Sequence, residues 1–195
     1  MPKAHVPNWP DIWFLRHGQT EWNLAGRIQG RLDSPLTALG RAQANSQAAL
    51  IADIAARVAT GPGNIYVSPL GRARETAALA LPEYDAVIDP RLAEIDTGAW
   101  EGLAKADLPQ GSSDLLTYAA APDGEGLEEL IGRVRGFAEE LAGPSIIVAH
   151  GLWGQVLRGL AKGLPQQNMG AQDNRQGCVY HLSNGSEDVL GNFTG

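Results

Sequence analysis

The stretch Phe14-Leu15-Arg16-His17-Gly18-Gln19-Thr20-Glu21-Trp22-Asn23 decides how this chain is read. It continues an apolar run that opens with Ile12-Trp13, and a run of this kind predicts a short buried strand. Arg16, His17 and Gly18 then stand where that strand ends. In open α/β sheets, ligands collect outside the carboxyl ends of the strands. A guanidinium there offers planar bidentate donors to a phosphate oxyanion. An imidazole can act as acid, base or nucleophile near neutral pH. Gly18 lets the backbone turn sharply and lets a ligand come close.

The arrangement occurs twice. Ser145-Ile146-Ile147-Val148 is a second apolar, β-branched run, and Ala149-His150-Gly151 follows it. Two of the four histidines thus share a strand-x-His-Gly layout. One such histidine is more often a structural cap; two in matching layouts, one of them beside Arg16, point to a shared site.

Length and composition bound the rest. The 195 residues suit a single domain covering 1–195. No apolar run approaches a membrane span, and Met1 to Pro10 has no apolar core of a secretory signal. The lone cysteine, Cys178, fits a reducing compartment, so a cytoplasmic location is expected. A net charge of −7 argues against nucleic acid or an anionic membrane as partner. A local arginine cluster can still take a small phosphorylated substrate, and 12 of the 15 basic residues are arginine.

Taken in order, residues 1–11 read as a loose arm containing His5, and Ile12 to Leu15 as the first strand. Trp22 to Leu36 reads as loop; its Gly26-Arg27-Ile28-Gln29-Gly30 is a weak glycine loop without a P-loop ending. Thr37 is placed to cap a helix through Ala59, with Ala42, Leu50, Ile54 and Val58 as its apolar face. Asn64 to Val67 predicts a strand. Ser68-Pro69-Leu70 predicts the opening of a helix that carries Arg72, Arg74 and Thr76. Ala86 to Ile88 reads as a strand and Arg91 to Gly102 as an ordered loop. Helices are expected around Ser113 to Ala119, over Leu127 to Leu141 and over Leu152 to Gly163. Cys178 to Leu182 and Asp188 to Leu190 predict a hairpin, with His181 structural. The alternation of strands and helices indicates an α/β three-layer sandwich.

These residues resemble the histidine phosphatase superfamily, also called the phosphoglycerate mutase-like family. The resemblance runs from Leu15 to about Leu182. Its motifs are Arg16-His17-Gly18 with Thr20-Glu21-Trp22-Asn23, Asp33-Ser34-Pro35-Leu36-Thr37 with Gly40, and Ser68-Pro69-Leu70-Gly71-Arg72-Ala73 with Thr76-Ala77. Leu92-Ala93-Glu94 with Trp100-Glu101-Gly102, and Val148-Ala149-His150-Gly151, complete them. The resemblance implies a mixed, mostly parallel sheet flanked by helices, with no metal or organic cofactor. It implies that His17 takes the phosphoryl group, that Arg16, Arg72 and His150 hold its oxygens, and that Asn23 adds an amide donor. Glu94 would protonate the leaving alcohol and then activate water; the nearby Asp96 and Glu101 read as loop hydrogen-bonders. Gln29, Gly30, Gly151 and Leu152 complete the expected substrate-binding set.

The chemistry agrees. Phosphoryl transfer needs in-line positioning and charge stabilisation. Two arginines and a protonated His150 would neutralise the equatorial oxygens. A neutral His17 would divide hydrolysis into two displacements. Departures from the family pattern are Gly126 after Glu125, where serine is usual, and Leu152-Trp153 after Gly151. Trp153 could fill part of the pocket and narrow substrate choice. No role carries over to Asn174.

The expected activity is phosphomonoester hydrolysis, with a cofactor-dependent phosphoglycerate mutase as the alternative. Lys105 is the only basic residue from Glu94 to Gly132, so a substrate carboxylate would find little to bind. A metal-dependent hydrolase lacks His-x-His or His-Glu-x-x-His spacing. A non-catalytic phospholigand-binding module is disfavoured by the full set of expected catalytic residues. Oligomeric state is not legible in the sequence.

Overall fold

The first strand, β1 (Ile12–Arg16), is buried on both faces because its side chains alternate between two cores. Ile12 and Phe14 enter one core; Trp13 and Leu15 enter the other. The same alternation governs β4 (Ser145–Ala149), with Ile147 and Ala149 on one side and Ile146 and Val148 on the other. Strands covered on both faces read as continuous apolar runs, which is how both appeared in the sequence.

The computed structural model describes residues 6–61, 63–109, 111 and 113–191. His5 and Pro62, and with His5 the first part of the expected arm, lie outside them. The elements follow in the order β1, α1 (Glu21–Leu24), α2 (Ala38–Ala59), β2 (Ile65–Val67), α3 (Gly71–Ala80) and β3 (Val87–Ile88). Then come α4 (Asp114–Tyr118), α5 (Leu127–Glu139), β4, α6 (Gly151–Ala161), α7 (Gln166–Met169), β5 (Val179–Ser183) and β6 (Ser186–Leu190). The strands form one mixed sheet in the order β3-β2-β4-β1-β5-β6. The pairs β1–β4, β2–β4 and β2–β3 are parallel; β1–β5 and β5–β6 are antiparallel. Helices α2 and α3 supply one core, and α4, α5 and α6 the other. The sandwich expected from the sequence is the one observed. Among the described residues, no helix is long and apolar enough to cross a membrane.

The register of the central pair positions the site. Leu15 lies opposite Val148 and Arg16 opposite Ala149, so His17 and His150 leave the sheet side by side. His17 N continues the ladder, donating to the Ala149 carbonyl at 3.0 Å.

Several local expectations change. The stretch read as loop after Trp22 begins with α1, whose cap Thr20 exchanges hydrogen bonds with Asn23. Helix α3 starts at Gly71, after Pro69: Ser68 N still donates to the Val148 carbonyl of the sheet, and Leu70 is extended. Helix α2 begins after Thr37 as expected, but its buried face is Gln43, Ala44, Gln47, Ile51, Ala55 and Val58. Ala42 is exposed, and Leu50 and Ile54 are half-buried. Two glutamines occupy the inward stripe because they serve backbone groups: Gln47 Nε2 donates to the Arg16 and Cys178 carbonyls, each at 3.0 Å, and Gln43 Oε1 accepts from Gln19 N at 2.8 Å. The final hairpin turns at Asn184-Gly185, both with positive φ, the conformation a two-residue primed turn demands. His181 stacks on Trp13 with ring centroids 4.8 Å apart and lies 3.3 Å from Asp11, so it is structural.

Candidate active site

At the carboxyl ends of β1 and β4 lies a cavity of about 70 Å³. Arg16, His17, Asn23, Gln29, Gly30, Arg72, Glu94, Gly151 and Leu152 all line it, although they come from six separate stretches of chain. His150 is fully buried and does not line the cavity; its ring centroid is 5.2 Å from that of His17.

The two arginines are fixed by carbonyls and keep donors free. Arg72 Nη1 donates to the Leu32 carbonyl at 2.7 Å and to Asp33 Oδ1 at 3.2 Å, while Nη2 donates to the Gly30 carbonyl at 2.9 Å. Its Nε is buried with no partner among the described residues. Arg16 Nη1 donates to the Asn174 carbonyl, and its Nε is likewise buried and unpaired. An unsatisfied buried donor costs about 1–3 kcal/mol, so two at one cavity mark a place for an acceptor. Burial lowers both guanidinium pKa values, and Glu94 opposes that shift at each. Arg74, two residues on, is exposed.

Both histidines are held neutral. Burial, then the charges of Arg72 and Arg16, push His17 well below the ordinary value of 6.5; the Gly18 hydrogen bond works in the opposite direction. His17 Nδ1 lies 2.7 Å from the Gly18 carbonyl, which can only accept. Nδ1 therefore carries the proton and Nε2 keeps its lone pair. Burial, then Arg72 and His17, also push His150 well below 6.5. The protonated His150 expected during phosphoryl transfer is a charge state that burial and the two guanidinium groups oppose. Its Nε2 is 2.6 Å from Ser68 Oγ, which itself accepts from Leu70 N at 3.3 Å. His150 Nδ1 is buried with no partner among the described residues.

Asn23 Oδ1 accepts from Thr20 N at 3.2 Å and Gln176 Nε2 at 3.4 Å, so its Nδ2 remains available to a ligand. Glu94 sits at the N-terminus of α6. Its Oε1 accepts from Ile95 N at 3.0 Å and Trp153 N at 2.9 Å, and its Oε2 from Leu152 N at 3.0 Å. Free N–H groups in the first turn of a helix are natural partners for a carboxylate. Asp96 is engaged locally, accepting from Gly98 N at 2.8 Å, whereas Glu101 accepts from Arg31 N at 2.6 Å, 70 residues away in the chain.

The structure adds residues that sequence reasoning missed. Asp33 accepts from the backbone N–H of Gly71 and Arg72 and pairs with the Arg72 guanidinium, tying two motifs together. Its place in the Asp33-Ser34-Pro35 motif was the available signal. Asn174 lines the cavity and anchors Arg16, and Gln176 Nε2 donates to the His17 carbonyl at 2.9 Å. Two further corrections concern the pocket wall. Trp153 does not enter the cavity: it is buried in the core against Phe14 and Phe137, and its indole N–H donates to the Arg91 carbonyl at 2.8 Å. Basic groups are more numerous than a count after Glu94 suggested, because Arg27 joins Lys105 on the lining from the other side. Both are engaged: Arg27 Nε donates to the Gly102 carbonyl at 2.9 Å and stacks over Trp22, and Lys105 pairs with Asp114 at 2.9 Å.

Comparison with known proteins places this geometry. Residues 12–189 match the Histidine phosphatase superfamily (branch 1). A curated relative from Enterobacter sp. (strain 638), named "Probable phosphoglycerate mutase GpmB", is 36% identical over 169 residues, covering 79% of this chain and 75% of the relative. The crystal structure of the alpha-ribazole phosphatase from Shigella flexneri superposes with a TM-score of 0.73 at 27% identity, over 92% of this chain and 95% of that one. The vanadate complex of mycobacterial glucosyl-3-phosphoglycerate phosphatase superposes with a TM-score of 0.74 at 29% identity, over 92% and 96%. The chain belongs to branch 1 of the histidine phosphatase superfamily, whose members carry out phosphoryl transfer.

Proposed function

We propose that this protein is a phosphomonoesterase that hydrolyses a small phosphorylated metabolite through a phosphohistidine on His17. The observation that carries the proposal is the Nδ1–H bond from His17 to the Gly18 carbonyl, which leaves Nε2 unprotonated on a cavity that holds two unpaired arginine Nε–H donors. His17 Nε2 attacks phosphorus and the ester P–O bond breaks. Glu94 passes a proton to the departing alkoxide through Oε2, which accepts from one N–H donor against two at Oε1. Water then attacks the phosphohistidine, Glu94 accepts its proton, and inorganic phosphate leaves. Arg16, Arg72, Asn23 and His150 hold the equatorial oxygens, and charge built there draws His150 toward its protonated form. No step needs a metal or organic cofactor. Hydrolysis of small metabolites agrees with a net charge of −7, which disfavours nucleic acid and anionic membranes, and with a cytoplasmic location.

A second reading, phosphoryl transfer between hydroxyls as in a phosphoglycerate mutase, is favoured by Arg27 and Lys105 on the lining. It is the weaker because both are already engaged by Gly102, Trp22 and Asp114. Two measurements decide. His17→Ala should abolish phosphate release, and rapid quench of wild type should trap acid-labile, base-stable phosphate; label on serine overturns the assignment. With 3-phosphoglycerate, or with a broad panel of phosphomonoesters, inorganic phosphate should exceed any isomerised product; predominant isomerisation establishes the mutase.

A further inference from the structure

Behind Glu94, outside the cavity lining, lies a nearly buried ion pair. Arg133 on α5 is 15% exposed and Glu125 only 4%. Arg133 Nε and Nη2 donate to the two Glu125 oxygens at 2.6 and 2.8 Å. Nη1 donates to the Arg91 carbonyl and, at 2.8 Å, to the Ala93 carbonyl; Nη2 also reaches the Glu94 carbonyl at 3.5 Å. Glu125 grips the far side: its Oε2 accepts from Asp96 N at 3.3 Å, and its own N–H donates to the Asp96 carbonyl at 3.0 Å.

Residues 93–97 belong to no strand or helix; single helical turns flank them at Pro90–Leu92 and Gly98–Trp100. No regular ladder therefore fixes the backbone of Glu94. Its side chain meets the α6 N-terminus, and its main chain is held from behind by one guanidinium and one carboxylate. A packed apolar pair could stabilise the fold as well as a buried ion pair does. Only a rigid planar group with five donors can hold successive carbonyls and a carboxylate in one geometry.

We propose that Arg133, oriented by Glu125, is a positioning residue that sets the Glu94 carboxyl at the leaving-group side of the cavity. This rests on Glu94 being the proton donor. General acid help matters for an alkyl phosphate, whose alkoxide needs a proton, and little for p-nitrophenyl phosphate. A displacement near 1 Å can cost on the order of 100-fold in rate.

The test is single-turnover phosphorylation of wild type, Arg133→Met, Arg133→Lys, Glu125→Gln, Glu94→Gln and the Glu94→Gln/Arg133→Met double variant. Each is assayed with an alkyl phosphate and with p-nitrophenyl phosphate, and by orthovanadate inhibition. Arg133→Met should lose roughly 10- to 100-fold on the alkyl phosphate, with changes within about threefold on the aryl ester and on vanadate. Glu125→Gln and Arg133→Lys should show the same selectivity at smaller size, and they carry the test if Arg133→Met fails to fold. In the Glu94→Gln background, Arg133→Met should add no further alkyl-selective loss. Equal losses on both substrates, or multiplying losses in the double variant, overturn the positioning role while a selective Glu94→Gln leaves the acid in place. A Glu94→Gln variant without selectivity overturns Glu94 as the acid, and the proposal with it.

Discussion

The neutral state of the two site histidines makes the fold's stability depend on pH in a calculable way. In the native protein, His17 and His150 are held well below 6.5 by burial first and by Arg72 and Arg16 as well. In the unfolded chain each titrates at its ordinary value. Above that value both states are neutral, and the native state keeps its full stability. As pH falls through 6.5 the unfolded chain binds protons that the native chain refuses, so stability is lost on the acid side. At about pH 5.5 each histidine removes at most about 1–2 kcal/mol relative to about pH 8, and the pair at most about 3 kcal/mol. For a chain of this length that is a drop in Tm of roughly 6–11 °C. Urea denaturation at both pH values, in buffers free of phosphate and vanadate, measures it. Carboxylates contribute their own pH dependence, so the comparison is made against His17→Gln and His150→Gln. Each variant should lose one histidine's share of the pH dependence, whatever its stability at pH 8. If His150→Gln keeps the full wild-type difference between the two pH values, His150 is not held neutral.

Other outcomes follow from named contacts. Arg72→Ala should weaken orthovanadate inhibition by roughly 10- to 100-fold, as expected for loss of a charge-assisted contact, and Arg74→Ala within about threefold; the reverse order would mean that the exposed arginine holds the oxyanion. In Gly18→Ala, the new Cβ would stand 2.2 Å from the Gly40 carbonyl oxygen, about 1 Å inside contact distance. It should destabilise by about 1–3 kcal/mol and, by shifting His17, cut turnover on the order of 100-fold; wild-type kinetics would show that the backbone absorbs the clash elsewhere. Asn184→Pro should destabilise the protein by about 1–3 kcal/mol in urea titrations, because Pro cannot adopt the positive φ of 49° found there; an unchanged midpoint would show that the β5–β6 hairpin turns by another route.

How much of this was written in the chain can be judged residue by residue. The paired strand-His-Gly segments were legible because a strand buried on both faces is a plain apolar run, and because Arg16 and His17 follow one of them directly. Thr37 was legible as a cap because the need it meets, a free N–H at Gly40, is three residues away. The inward face of α2 was not legible. Gln43 and Gln47 are polar by type, and only the backbone groups they serve at Arg16, Gln19 and Cys178 explain their burial.

The same division holds at the site. Local sequence and motif spacing determined the chemical inventory: a histidine to attack, arginines to hold an oxyanion, a carboxyl group in a loop. Tertiary structure alone decided the tautomer of His17, the neutral state of His150, the turning of Trp153 into the core and the arrival of Arg27 at the wall. It alone brought Asp33 to Arg72 and Arg133 to the carbonyls around Glu94, across 39 and 40 or so residues of chain. Side-chain identity is local, whereas protonation, orientation and partner depend on desolvation and on charges within a few ångströms, and those distances exist only once the strands have paired.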